Sequence, residues 1–230
     1  MSDMMKTNLS QRLQAVMGFA EKTPHKTLAD IGTDHAYLPI AAVQSGISSA
    51  AIACDIHPGP LEIANKNILD AKLTSQIETR LGDGLAPLAP GEADCIVIAG
   101  MGGMRIWGIL EVGMAQACTA KRLILQPQHD TMLLRKNLHM AGFDIEDECI
   151  VREVVAGREH FYVIIATKYT ASATRWHEQE YFLGKYLMEK VNADFVAFKN
   201  REKEKINAYI AKLTDEKAIE DASQRLSWLK

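Results

Sequence analysis

The sequence predicts an α/β fold in which a mostly parallel β-sheet with one antiparallel strand is followed by a C-terminal helical hairpin. Short apolar runs alternate with helical patterns from Thr27 to about residue 141, as in successive strand–helix–strand units. Two closely spaced strand-like runs flank Ala156 and Gly157, which indicates a closing hairpin. After Gly184 there is no further Gly or Pro, and apolar residues recur at helical intervals.

The individual elements follow in chain order. Apolar residues at three- and four-residue spacing predict a leading helix over residues 8–21. Strands are predicted at residues 28–32, 50–55, 77–83, 93–100 and 122–127, with helices over 37–45, 58–71, 104–114 and 131–141. Two last strands end near Val155 and Thr167. The tail is predicted to hold two or three helices, with breaks near Asn192 and Thr214 where capping residues cluster.

Composition limits the class of protein. With 47% hydrophobic and 24% charged residues, the chain has an ordinary globular balance and little room for disorder. Its net charge of −3 gives no bulk signal for a polyanionic partner, so any basic surface must be a local patch. The apolar runs are no longer than strands, which argues against a signal peptide or membrane span. We therefore expect a cytoplasmic protein that is a monomer or weak dimer.

The four cysteines do not indicate a metal or redox site. Cys54, Cys95, Cys118 and Cys149 lie far apart and form no C-x-x-C pair. Cys54 and His57 are the only close pair of possible ligands, but Cys54 lies in a strand-like run whose alternate side chains point into the core. No metal is expected.

The loop after the first strand favours a cationic ligand. A dinucleotide fingerprint would read G-x-G-x-x-G, so that the backbone approaches a pyrophosphate, whereas this loop retains only Gly32. Asp34 stands where a second glycine would be, and Asp30 precedes Gly32. Two carboxylates would repel phosphates and attract a sulfonium or an amino group.

Acids also follow the next two strands. Asp55 comes 23 residues after Gly32, near the spacing at which an acid accepts hydrogen bonds from ribose hydroxyls. Asp83, followed by Gly84, offers a carboxylate for an adenine amino group. Either acid alone could simply cap a turn. Their joint spacing predicts a site for an adenosine that carries a cationic tail.

The fourth strand ends in IAGMGG, residues 98–103. Its glycines indicate backbone that a ligand approaches closely. The Asn or Asp followed by Pro-Pro that accepts hydrogen bonds from an exocyclic amine in other methyl-transferring enzymes is missing here. A ring nitrogen needs positioning more than deprotonation, so a glycine floor suits a flat base. Gln126 and its neighbours up to His129 would hydrogen-bond such a base, or form only a polar loop.

The runs DIGTDHAYLP, GPLEIANKN, GDGL, IAGMGG and LILQPQ, followed by a helical tail, resemble the bacterial tRNA (adenine(22)-N1)-methyltransferases. The resemblance implies a class I Rossmann-like methyltransferase domain over residues 1–170, a helical, coiled-coil-like domain over 171–230, S-adenosylmethionine as cofactor and tRNA as partner. Gln128 departs from the QPN sequence of the family. By the same resemblance, the cofactor contacts Asp30, Gly32, Asp55 and Asp83, with Gly84 and Gly100 beside them, and the methyl acceptor is bordered by Asp34, Met101, Gly102 and Gln126.

The expected reaction is direct in-line methyl transfer to N1 of an extruded adenine, without a covalent enzyme intermediate. The main candidates for RNA contacts are Arg12, Lys121, Arg135 and Lys203, with further candidates at Lys22, Lys26, Arg122, Lys136, Lys199, Arg201 and Lys205. Three alternatives stay open: a nicotinamide-dependent oxidoreductase, a small-molecule methyltransferase, and a non-catalytic RNA-binding module with a residual nucleoside pocket.

Overall fold

A computed structural model describes residues 9–22 and 25–230 of the chain. Its strands are β1 (Thr27–Ile31), β2 (Ala50–Asp55), β3 (Ile77–Leu81), β4 (Cys95–Met101), β5 (Arg122–Pro127), β6 (Phe143–Val155) and β7 (Arg158–Tyr169). They form one sheet in the order β3-β2-β1-β4-β5-β7-β6. Only β7 runs antiparallel to its neighbours, so the predicted sheet type is confirmed. Strand order reverses between β1 and β4, which opens a crevice at their carboxyl ends.

Helices cover both faces of the sheet and form the tail. They are α1 (Gln11–Glu21), α2 (Tyr37–Gln44), α3 (Pro58–Asp70), α4 (Gly103–Val112), α5 (Met114–Thr119), α6 (Thr131–Met140), α7 (Glu178–Leu183), α8 (Lys185–Glu189), α9 (Ala193–Ile210) and α10 (Glu216–Trp228). In this part of the chain, none combines the length and apolar character needed to cross a membrane.

Capping side chains fix several helix ends. The Ser10 hydroxyl accepts the N–H of Leu13, so α1 begins at Gln11; the predicted start at residue 8 lies outside the described residues. Asn192 and Asp215 cap α9 and α10 in the same way, which confirms the predicted breaks in the tail. The segment predicted as one helix over 104–114 is instead divided at Gly113 into α4 and α5.

The apolar core continues from the sheet into the tail. Residues 95–98 of β4 and 123–127 of β5 are buried, as expected for parallel strands covered on both faces. The same apolar cluster includes six tail residues: Trp176, Tyr181, Leu183, Leu187, Phe195 and Leu229. The end of β7 at Tyr169 lies beside the predicted domain boundary. The division into two domains stays a prediction, while the tail packs directly on the sheet domain.

The β6–β7 hairpin projects beyond the sheet. Ala156 and Gly157 have φ values of 50° and 75°, the left-handed pair that a two-residue hairpin turn requires. β5 pairs with β7 only up to Leu125 and Ile165. Residues 151–155 and 158–162 therefore extend past the end of β5 by about 16 Å, at about 3.3 Å per residue. They overhang the carboxyl edge of the sheet.

Candidate functional site

A cavity of about 350 Å³ opens at the carboxyl edge of the sheet, where β1 to β4 end. Seven of the ten residues predicted to contact the cofactor or methyl acceptor line it: Gly32, Asp34, Asp55, Asp83, Gly84, Gly100 and Met101. Asp30, Gly102 and Gln126 do not. A larger, more open depression of about 530 Å³ lies along β2 and β3 and is lined by none of the predicted residues.

Asp55 is held in place by backbone donors. One carboxylate oxygen accepts the N–H of His57 at 2.9 Å, and the other accepts the N–H of Asp34 at 3.4 Å. Within the described part of the chain, neither Asp55 nor Asp83 forms an ion pair with Lys or Arg. Both carboxylates therefore keep acceptor capacity for a ligand in the cavity.

The loop after β1 folds over the end of β2. The N–H groups of Gly32 and Thr33 both donate to the carbonyl of Cys54 at 2.9 Å. Gly32 has φ +74°, and a Cβ there would lie 2.4 Å from the Cε of Met101. Asp34 also has a left-handed backbone, with φ 55°. Gly32 thus makes room for the Met101 side chain, and both residues reach the cavity.

Asp30 lies beneath this loop, outside the cavity lining. Its carboxylate accepts the Thr33 hydroxyl at 2.7 Å, and only 6% of the residue is exposed. Burial raises the pKa of the Asp30 carboxyl to about 6, against the lowering effect of the Thr33 hydrogen bond. Asp30 thus supports the loop from below, and its predicted contact with the cofactor stays a prediction.

Gln126 lies outside the cavity lining and its side chain is engaged within the protein, so its predicted hydrogen bond to the base stays a prediction. Gln126 is fully buried. Its Oε1 accepts the backbone N–H of Gly100 at 3.1 Å and the Nη1 of Arg12 at 2.8 Å, and its Nε2 donates to the carbonyl of Pro127. Gln126 positions two groups that border the cavity.

The glycines at the end of β4 accommodate protein rather than an open slot. A Cβ on Gly102 would lie 2.5 Å from the His129 ring. On Gly103 it would lie 2.7 Å and 2.8 Å from the carbonyl oxygens of Asp130 and His129. These glycines let the loop between β5 and α6 close over β4. The Gly102 backbone is thus covered by His129, whose Nδ1 contacts Asp130 at 2.8 Å.

Nine residues of the lining were not predicted as site residues: Ile31, Cys54, Ile56, His57, Pro60, Gly82, Ala99, Arg105 and Ile109. Ile56 and His57 directly follow β2, so a systematic reading of strand ends would have found them. Arg105 and Ile109 are one helical turn apart on α4. The local helical pattern does not show which face of α4 meets the cavity.

The structure separates the predicted RNA-binding cations. Arg135 is 1% exposed and its Nε donates to Glu148 at 2.7 Å, so its side chain is not accessible to RNA in this structure. Lys121 pairs with Asp94 just before β4, at the amino edge of the sheet opposite the cavity. Arg12 is half-buried beside Gly100 rather than on an outer rim. Lys203 is exposed on α9, so its contact with RNA stays a prediction.

The further candidate cations make contacts within the protein. Lys26 and Arg122 also lie at the amino edge, beside Asp94. Other candidates contact acidic side chains or backbone carbonyls: Lys22 (Asp147), Lys136 (Glu178), Lys199 (Lys230 carbonyl), Arg201 (Glu159 carbonyl) and Lys205 (Glu202).

The thiol of Cys54 is fully buried at the cavity wall, and burial raises its pKa to about 12. It stays protonated near neutral pH and is a poor metal ligand or nucleophile. No group of three or more His, Cys, Asp or Glu side chains in the described ranges is arranged to hold a metal ion.

Comparison with known proteins finds one family. The family described as tRNA (adenine(22)-N(1))-methyltransferase matches residues 28–228. A Bacillus subtilis protein of that description is 44% identical over 151 residues, covering 65% of this chain and 62% of the relative. The chain therefore spans less than two thirds of that relative.

Solved structures extend the similarity to nearly the whole chain. Streptococcus pneumoniae Sp1610 in complex with S-adenosyl-L-methionine has a TM-score of 0.86 and 32% identity, covering 96% of this chain and 97% of that one. M. capricolum TrmK, in complex with S-adenosyl-homocysteine, has a TM-score of 0.81 and 26% identity, covering 96% of each chain.

Proposed function

Since this chain belongs to the tRNA (adenine(22)-N(1))-methyltransferase family, we propose that it transfers the methyl group of S-adenosylmethionine to N1 of adenosine 22 in tRNA. The chain is a methyltransferase that uses this cofactor. The observation that carries the proposal is a cavity at the strand-order reversal that Asp34, Asp55 and Asp83 all line. A nicotinamide cofactor does not fit, since its pyrophosphate would face carboxylates.

The residues present fit S-adenosylmethionine. Asp55, oriented by the N–H of His57, would accept hydrogen bonds from the ribose hydroxyls. Asp83 would accept the adenine amino group, with Ile56 and Ile109 as apolar neighbours in the lining. Asp34 adds negative charge to the same wall. When bound, the cofactor supplies a methyl group activated by a positively charged sulfur.

On the acceptor side, the chain acts by positioning. The N1 lone pair of adenine lies in the plane of the base and needs no general base to attack a methyl group. Gly100 and Met101, at the end of β4, would border the base. Since N1 is normally paired, the adenosine must leave its helix, at a cost of a few kcal/mol that contacts to the tRNA body must offset. We include Lys203 among these contacts.

The proposal is tested by incubating purified protein with labelled S-adenosylmethionine and a tRNA transcript, followed by nucleoside mass spectrometry. We expect 1-methyladenosine from the transcript with adenosine at position 22, and none when guanosine replaces it. Loss of 1-methyladenosine from tRNA of cells lacking the gene is the matching result in vivo. Equal methylation of both transcripts would contradict the assigned position.

We further propose that the protein works in the cytoplasm as a monomer or weak dimer and needs no metal. Light scattering at increasing protein concentration tests the oligomeric state, and cell fractionation tests the location. Methyl transfer measured in the presence of a chelator tests whether the reaction requires a metal ion. A stable higher oligomer, a membrane-bound fraction or loss of activity on chelation would each contradict the corresponding part.

A further inference from the structure

Planar side chains form a continuous surface from the cavity to the projecting hairpin. The Arg12 guanidinium lies 5.6 Å from the centroid of the Tyr162 ring. The Tyr162 and His160 rings are stacked, with centroids 6.1 Å apart and planes 9° from parallel. We call Arg12, Tyr162 and His160 the stacking ladder. It begins beside Gly100 of the cavity lining, because a Cβ on Gly100 would lie 3.4 Å from Arg12 Nη1.

The strand register places the ladder on one face of the hairpin. Tyr162 pairs with Val151, and His160 pairs with Glu153, so these four side chains share the face toward α1. Glu153 accepts the backbone N–H of Arg12 at 2.6 Å, which fixes the start of α1 to the hairpin. Because this part of the hairpin projects past β5, the two rings lie beyond the end of that strand, and Arg12 connects them to Gly100 of the cavity lining.

Core packing explains only part of this arrangement. Tyr162 packs partly on the apolar cluster beneath α1. His160 does not, and its side chain forms no hydrogen bond or ion pair with any residue in ranges 9–22 and 25–230. Both rings are partly exposed. A half-exposed, parallel pair of rings with an arginine plane beside it is free to receive another flat group.

Charge favours an uncharged flat ligand over a phosphate. Arg12 is the one cation in the ladder, and its Nη1 already donates to Gln126. The Glu153 carboxylate lies on the same face, so the surface carries little net charge. Nucleic acid bases match these properties, since unstacked bases bind to aromatic rings and arginine planes in single-stranded RNA recognition.

We infer that the stacking ladder binds an unpaired base next to the adenosine that is methylated, and so keeps the RNA strand open at the cavity. This inference rests on the proposed function. It names the flanking nucleotide as part of the substrate surface and makes Tyr162 and His160 positioning residues for methyl transfer.

The first test separates tRNA affinity from cofactor affinity. Tyr162→Leu keeps apolar volume on the cluster but removes the ring, and His160→Ala removes the outer ring. For each we expect unchanged S-adenosylhomocysteine binding and a KM for tRNA raised about tenfold, as for the loss of one base stack. Tyr162→Phe should retain near-normal KM. Val154→Ala, on the other face of the same hairpin and 67% exposed in the wild type, should change nothing.

The second test detects the stack directly. Two tRNAs are prepared, with 2-aminopurine at position 21 or at position 23. One of them should lose fluorescence when wild-type protein binds, and the same tRNA should keep its fluorescence when Tyr162→Leu binds. If wild-type protein methylates tRNA normally and all variants have equal KM values for tRNA, the role of the stacking ladder is overturned and the proposed function stands. Absence of methylation by wild type would overturn the proposed function. An equal loss with Val154→Ala would show a general effect of the hairpin and overturn the role of this face.

Discussion

Asp55 is the residue on which cofactor binding depends most directly. Its carboxylate is oriented by two backbone N–H groups and faces the cavity. We expect Asp55→Ala to lower the affinity for S-adenosylhomocysteine by about 100-fold, because two hydrogen bonds to a charged acceptor are lost. Titration calorimetry measures this. Asp70→Ala, at the exposed end of α3, is the control, and equal affinity for both variants would refute the assignment.

Asp30 stabilises the loop at an electrostatic cost that depends on pH. Its folded pKa of about 6 lies above the ordinary value of 3.8, so the protonated form favours folding. That contribution is present below about pH 4 and is lost as pH rises through about 6. Asp30→Asn should therefore raise the free energy of unfolding at pH 8 by up to about 3 kcal/mol, with little effect near pH 4.

Urea unfolding at pH 4.5, 6 and 8 measures this difference. The asparagine Oδ1 still accepts the Thr33 hydroxyl, so the loop should keep its conformation. A stability difference that does not change with pH would contradict the burial effect. If the negative charge also attracts the sulfonium, the variant should lose more affinity for S-adenosylmethionine than for S-adenosylhomocysteine.

At the level of single residues, the sequence predicted the acids better than the amides. The carboxyl ends of parallel strands meet at one edge, so Asp34, Asp55 and Asp83 were found from spacing alone. The internal contacts of Gln126 were not predicted, because its partner Arg12 lies 114 residues away on a helix outside the repeated strand–helix units. No local pattern shows that α1 returns to the end of β5.

Among the elements, α4 contains two glycines, Gly103 and Gly108, of which only the first has close neighbours where a Cβ would lie. A Cβ on Gly103 would meet two backbone oxygens at 2.7 Å and 2.8 Å, and backbone cannot rotate away as a side chain can. Gly108 has no such neighbour within 4 Å. We expect Gly103→Ala to cost about 1–3 kcal/mol through overpacking. Gly108→Ala should instead stabilise the helix by about 0.5–1 kcal/mol.

Thermal unfolding of both variants checks this prediction. Gly103→Ala should also reduce methyl transfer, because the displaced loop carries Gln128, whose backbone N–H donates to the carbonyl of Met101. A Gly103→Ala protein as stable as Gly108→Ala would show that the loop between β5 and α6 is free to move.

The periodicity of apolar residues predicted the strands and most helices, because each of these elements buries side chains that recur at a fixed spacing in the sequence. It failed at Gly113, where α4 ends and α5 begins. A Cβ there would lie 2.5 Å from the Leu85 Cβ, so the bend is set by a contact with the loop after β3. Such a long-range contact has no counterpart in the local pattern.

For the whole molecule, a buried ion pair joins the tail to the sheet domain. Arg135 on α6 and Glu148 on β6 are 1% and 0% exposed at their side chains. Arg135 also donates to the carbonyl of Tyr181 in α7 at 2.9 Å. A Cβ on Gly184 would lie 2.7 Å and 2.8 Å from the two charged groups, so the chain passes directly over them.

Arg135→Ala should destabilise the protein by about 3–5 kcal/mol, because Glu148 would remain buried without its partner. Burial already raises the pKa of Glu148, and loss of the guanidinium would raise it further. The double variant Arg135→Met, Glu148→Leu should recover most of the stability. Chemical denaturation of Arg135→Met, Glu148→Leu and the double variant gives the coupling energy between the two side chains, and additive losses of stability would contradict their pairing.

The arrangement of the tail was predicted only in part. Its lack of Gly and Pro indicated helices, and capping residues marked their ends. That Trp176, Leu187 and Leu229 join the core beneath the sheet was not predicted, because an apolar helical face does not identify the surface it covers.

The position of β7 bears on how the protein is made. This strand is the last to be synthesised, yet it lies between β5 and β6. A nascent chain that ends before residue 158 therefore exposes the hydrogen-bonding edge of β5, which is a template for association with other chains. Ribosome stalling in this interval should yield aggregation-prone fragments, whereas release after Tyr169 allows the sheet to close.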